Sequence, residues 1–244
     1  MSRILDSLAT NCTVRAQELT TLISSTQILL EDNKINEAVG LFERAIQSRI
    51  AEIGKNHIHT LELMSAFALF LSKRKKKKLQ LRAKHLYVEV LSGFEKELSW
   101  TSLETLRVAH DNARLLLKLE MFSKSKRLFH KILGTFEEMY SSTPNHAHIL
   151  NTVNQIGSIL KKEGNLRAAK LMYERSWSGA EESPTLGPTH PTTRMYKNNL
   201  IKINACIEAQ EELAKIAHEK KMARRQQEEV ERQARMEAMN ESRK

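Results

Sequence analysis

The sequence predicts an all-α fold: an alpha solenoid of tandem helix-turn-helix units closed by a long C-terminal helix. Three observations carry that expectation. Residues 36–47, NEAVGLFERAIQ, and residues 167–178, RAAKLMYERSWS, write nearly the same phrase. Two further copies lie between them, around Ala83 and Ser125. The 244 residues also hold only 8 Gly and 4 Pro, with 5% aromatics, which leaves few turn signals for a strand-rich chain.

Each copy opens on a small residue, at 38, 83, 125 and 169, so the steps are 45, 42 and 44. A step held nearly constant over four copies marks one supersecondary unit repeated. A bulky residue follows four positions on (Phe42, Tyr87, Phe129, Tyr173) and a smaller one seven positions on (Ala45, Val90, Ile132, Ser176). Spacings of four and seven put all three on one helical face, where the small residue lets a neighbouring helix approach and the aromatic fills the space beside it.

A second helical stripe precedes each copy. It reads Leu61, Met64, Ala68 and Leu71 in the second unit, Leu106, Ala109, Ala113 and Leu116 in the third, and Val153, Ile156, Gly157 and Leu160 in the fourth. In the fourth unit Gly164-Asn165 stops the helix before Leu166 starts the next. The expected organisation is a lead-in over residues 1–16, about four helix pairs over 17–203, and a capping and extended charged helix over 204–244. Cys206, Ala209, Leu213 and Ile216 are expected to cap the open end of the array. Beyond Ala217 the large apolars are only Met222, Val230, Met236 and Met239. Helix formers and Glu/Arg pairs support a helix there, but that seam is too thin to predict a coiled coil.

These units resemble tetratricopeptide repeats, in the longer form found in kinesin light chain. Leu41-Phe-Glu-Arg-Ala45 and Met172-Tyr-Glu-Arg-Ser176 look like that family's second helix. Leu186-Gly-Pro-Thr-His-Pro-Thr-Thr193 is similar to its linker, with a fainter copy at Gly54–Thr60, and Asn198-Asn-Leu200 resembles its first helix. The first unit departs from the pattern at Ser25 and Thr26, the third at Asn112, and the second carries an insertion. The resemblance implies a concave groove lined by first helices and holding an extended or helical peptide. Carried over by position, the groove comprises Arg107, His110, Arg114 and Lys118 of the third unit, Asn151, Asn154, Ser158 and Lys161 of the fourth, and Asn198 and Lys202 of the helix that follows. It also implies a non-enzymatic scaffold or adaptor in a larger, possible cytoskeletal or ciliary, assembly.

The net charge is +10. Nine acidic and nine basic residues balance from Ile207 onward, so the excess sits on residues 1–206. A basic body calls for an anionic partner. Asn side chains can satisfy peptide backbone while Arg and Lys read carboxylates, so the first expectation is a protein partner with an acidic segment. The run Lys73-Arg74-Lys75-Lys76-Lys77-Lys78, placed in the turn of the second unit, supplies the alternative: an RNA-associated subunit of a ribonucleoprotein or mitochondrial assembly. No aromatic is interleaved to stack on bases.

Nothing in the sequence asks for a catalytic residue, a metal or a cofactor. The His57/His59 and His146/His148 pairs have no Cys or paired carboxylates at ligand spacing, and no GxGxxG, phosphate-loop or GxSxG motif occurs. Cys12 and Cys206 are too few for a disulfide framework, which favours a reducing compartment. No apolar run is long enough to span a membrane. The expected place is the cytoplasm, in association with the cytoskeleton; the Arg- and Ser/Thr-bearing start keeps a mitochondrial presequence as the alternative, against which Asp6 and Glu18 stand.

Overall fold

The computed structural model describes Thr21, Ser24 and residues 34–241, and among them holds eight helices and no strand. The expected lead-in, Cys12, Ser25 and Thr26 lie outside the described residues. Two compact units divide the chain, Met1–Thr135 and Phe136–Lys244. The first contains α1 (Ile35–Ile53), α2 (Ile58–Ser72), α3 (Lys77–Glu97), α4 (Leu103–Lys118) and most of α5 (Phe122–Met139). The second takes the end of α5, then α6 (Ala147–Lys162), α7 (Leu166–Glu182) and α8 (Pro191–Glu241).

The repeat phrase is the core. Its opening residues Ala38, Ala83, Ser125 and Ala169 are all fully buried, and Phe42, Tyr87, Phe129 and Tyr173 are at most 3% exposed. Ser125 can occupy a position otherwise filled by Ala because its hydroxyl donates to the Ala113 carbonyl of α4 at 2.7 Å, which removes the cost of an unpaired buried hydroxyl. Asn112, the other departure, is buried with its carboxamide oxygen unpartnered. Nothing nearby explains it.

Close approach of paired helices is bought with glycine. A Cβ on Gly93 would lie 2.7 Å from the Leu61 methyls, one on Gly179 2.6 Å from Leu150 Cδ2, and one on Gly157 2.9 Å from the Tyr173 ring. The turn after α6 is a Schellman motif: Asn165 N–H reaches the Leu160 carbonyl at 2.9 Å with Gly164 at φ +81°. The turn after α4 repeats it, Met121 N–H to the Leu116 carbonyl, with Glu120 forced to φ +61°. A side chain there costs about 1–2 kcal/mol that glycine avoids.

The insertion in the second unit lengthens a helix more than a loop. Leu71 and Ala83 are 12 residues apart, against 9 for Leu116–Ser125 and for Leu160–Ala169. The turn itself is Lys73–Lys76; Lys77 and Lys78 already belong to the first turn of α3, so the basic run is only in part a loop.

One expectation is corrected. Of the residues expected to cap the array, Cys206 and Ala209 are exposed, Leu213 is 68% exposed and Ile216 38%. Packing of α8 on its unit ends earlier: Tyr196 and Ile203 are fully buried, Leu200 is nearly so, and Ile207 is the last apolar to join that core. Leu150 and Leu160 of α6 pack against α7; counted from the capping residues His146 and His190, a step of 44, their counterparts in α8 are Arg194 and Asn204. The face is polar at those two positions, while Ile201, the counterpart of Gly157, is 56% exposed.

Candidate functional site

Candidate residues lie on first-helix faces within each unit: on α4 in the first, and on α6 and the start of α8 in the second. Each first helix needs a fixed N-terminus, and a histidine supplies it three times. His57 Nδ1 accepts the His59 amide at 3.2 Å, His146 Nδ1 the His148 amide at 3.3 Å, and His190 Nδ1 the Thr192 amide at 3.1 Å. At α4 the hydroxyl of Ser102 does the same for Thr105. The recurring His at the junction was visible in the sequence as part of the linker motif, without a role; its role is to satisfy an orphan amide at a helix start.

In the first unit, Arg107 and Arg114 of α4 are exposed and Asp111 stands between them, half-buried. Burial pushes the Asp111 carboxyl above its usual range, while Arg107, then Arg114, then Lys73 pull it back. This acid was not singled out from the sequence, although its spacing of four and three from the two arginines would have placed it on their face. The expected basic stripe therefore carries a carboxylate at its centre. His110 packs edge-on against Phe129 at 5.2 Å. Lys118 is committed to structure: its Nζ donates to the Ser72 carbonyl at 2.9 Å and the Arg74 carbonyl at 3.3 Å, holding a cation at the C-terminal end of α2 where the helix dipole favours one.

The same carbonyl of Arg74 accepts from Gln80 at 2.6 Å, and the Arg74 side chain donates to the Phe70 carbonyl and covers the Phe70 ring at 4.8 Å. Arg74 thereby pins the basic turn. Lys73, Lys75, Lys76, Lys77 and Lys78 are left exposed.

In the second unit, Asn154 is 3% exposed and its oxygen accepts from Asn199 Nδ2 at 3.0 Å. Ser158 donates to the Asn154 carbonyl and accepts from the Tyr173 hydroxyl at 3.2 Å. Both side chains thus link helices α6, α7 and α8. Asn151 and Lys161 are half-buried, and Asn198 and Lys202 are exposed on α8. A cluster of four rings closes the other end of α6: Tyr140 stacks on His146 at 3.6 Å and Phe136 on His148 at 5.0 Å. Burial lowers the His148 pKa, and His146 adds to the effect.

Among the described residues no group of three His, Cys, Asp or Glu could hold a metal ion, and no helix is long and apolar enough to cross a membrane.

The fold is that of kinesin light chain-like, TPR-like repeats. No protein-family model matches the chain, and no curated protein does. Solved structures do. The chain is similar to the nearly identical TPR-like repeats, of kinesin light chain type, from Podosopora anserina, at a TM-score of 0.64 and 15% identity over 80% of this chain and 89% of that one. A variant of the same protein gives 0.65. BtubC (BKLC) from P. vanneervenii gives 0.62 at 14% identity, over 83% of this chain and 82% of that one. At such identities the likeness is one of architecture, a solenoid of TPR-like helix pairs.

Proposed function

We propose that this protein is a non-enzymatic scaffold whose first-helix faces hold an acidic segment of a protein partner. The observation that carries the reading is the pair Arg107 and Arg114, exposed on α4 on either side of a half-buried acid. Two guanidiniums seven residues apart lie on one face about two turns, roughly 10 Å, from each other. That spacing suits two carboxylates on an extended or helical segment. In the second unit Asn198 and Lys202, both exposed on α8, offer an amide and a cation one turn apart. The kinesin light chain likeness is the ground for placing such a scaffold in a cytoskeletal assembly.

The test is affinity purification of the tagged full chain from its own cells, with and without nuclease, beside Arg107→Glu/Arg114→Glu and Asn198→Ala. Asn154 is left intact because it is buried. Protein partners that survive nuclease and are lost with the arginine pair support the reading. If nuclease empties the purification while the arginine variant behaves as the parent, the exposed lysines around the second-unit turn and RNA replace it. An Asp111→Asn variant sharpens the test: removing the carboxylate should tighten binding of a Glu-rich peptide by about two- to fivefold, a fraction of a kcal/mol of relieved repulsion.

A further inference from the structure

The exposed part of α8 has a face that its own unit leaves uncovered. Tyr196, Leu200, Ile203 and Ile207 pack inward, and Glu211 on the same side pairs with Arg167 of α7 at 3.3 Å. At about 100° per residue, Cys206, Ala209, Leu213 and Ile216 point to the opposite side. Their spacing of three, four and three continues along the helix as Lys220, Ala223, Gln227, Val230 and Ala234. That is a heptad with Cys206, Leu213, Lys220, Gln227 and Ala234 at a, and Ala209, Ile216, Ala223 and Val230 at d. Read from Ala217 alone the seam looked too thin for a coiled coil; with the inward face fixed by the structure, it begins at Cys206 with its most apolar layers. Neither Gly nor Pro interrupts α8 after its first residue.

We propose that the exposed segment of α8 pairs with the same segment of a second copy, in a parallel, in-register two-stranded coiled coil. The charges favour this occupant. In a parallel pair each g residue meets the e residue five positions on in its partner. Here Glu219 meets Arg224, which also pairs with Glu228 of its own helix at 2.8 Å, an attraction made twice by symmetry, while Ala205 meets Gln210, Glu212 meets Ala217 and Gln226 meets Glu231. Among these g–e pairs no like charges face each other; at the a positions Lys220 meets Lys220 of the second copy, the one like-charge contact of the seam. An antiparallel pair of the same stretch sets g against g, which places Glu219 against Glu219 and takes it away from Arg224. The nine acidic and nine basic residues from Ile207 onward leave the tail neutral, so two tails meet without the mutual repulsion of the basic bodies. Lys220 and Gln227 at a lower stability but fix register and strand number.

Cys206 makes the arrangement testable. In a parallel, in-register pair, facing a positions come close enough for a disulfide, whose α-carbons lie about 4.4–6.8 Å apart; in an antiparallel pair the two Cys206 residues sit at opposite ends. The experiment uses the full chain with Cys12→Ser, at high micromolar concentration. Mass is measured by sedimentation under reducing conditions, and linkage on a non-reducing gel after an added oxidant takes the two thiol electrons. The proposal expects a dimer mass, a linked dimer lost in Cys206→Ser, and loss of both in Leu213→Lys/Ile216→Lys with the body's unfolding transition unchanged. A monomer without linkage overturns it. So does a dimer that survives the Leu213→Lys/Ile216→Lys change, or one that this change abolishes but that never links through Cys206.

Discussion

The helix pairs α2–α3 and α6–α7 are two drafts of one unit, and they differ where their environments differ. Each sets a leucine of the first helix against a glycine of the second, Leu61 on Gly93 and Leu150 on Gly179. Each opens on a His-x-His cap and buries the tyrosine of the repeat phrase. The Tyr173 hydroxyl finds Ser158, whereas the Tyr87 hydroxyl is buried without a hydrogen bond. Ser72, a polar side chain beside it, is turned to the Leu69 carbonyl at 2.8 Å. The first cap sets His59 against Glu62 at 3.1 Å; the second is stacked on aromatic rings. Shared apolar geometry fixes the repeat, and local polar satisfaction is settled copy by copy.

The largest expected effect lies where the copies agree. Leu61→Ala and Leu150→Ala should each cost about 2–5 kcal/mol in urea unfolding of the full chain, and a large inequality would break the claim that both pack alike. Gly93→Ala and Gly179→Ala should cost about 1–3 kcal/mol each by overpacking. Gly179 should be the worse, since its Cβ also meets Asn145 Oδ1 at 2.8 Å. The tyrosines should then separate. Tyr173→Phe should lose about 0.5–1.5 kcal/mol with its bond to Ser158, while Tyr87→Phe, which removes an unpaired buried hydroxyl, should be neutral or stabilising.

The smallest effects are pH-dependent and opposite in sign. His148 is held below its usual 6.5 by burial, so the native state binds fewer protons than the unfolded one. Its contribution is full above pH 6.5 and is lost as pH falls from there through the lowered folded value. Asp111, raised above 3.8 by burial, binds more protons when folded; its contribution is full below that value and is lost as pH rises through the folded value. Thermal unfolding across this range should therefore show His148→Phe weakening the acid-side loss, and Asp111→Asn raising stability at pH 7 with a gain that fades on acidification. If either variant left the pH profile unchanged, that assignment would fail.

Much of the fold was legible because burial repeats with the helical period. Ala38, Ala83, Ser125 and Ala169 announced the second helices from spacing, and Gly164-Asn165 the helix stop from residue type; that the stop is a Schellman turn came from the structure. The candidate site was less legible, since which way a polar side chain turns depends on its neighbours in other helices. Asn154 and Ser158 sit at positions that the repeat places on the face, yet they bond across α6, α7 and α8. Lys118 looked like a groove cation and instead caps α2. Asp111 was passed over although it lies on α4 four residues from Arg107 and three from Arg114.

The sequence by itself determined that the repeat units are helical, that the unit recurs at steps of 45, 42 and 44, and which apolar residues fill the core of the described residues. Those follow from periodicity, and periodicity is local. Tertiary structure decided which polar groups are consumed in holding the units together, where α8 leaves its unit, and hence which face of its exposed segment is free to pair. These depend on contacts between residues roughly forty positions apart, whose geometry no local pattern of side chains encodes.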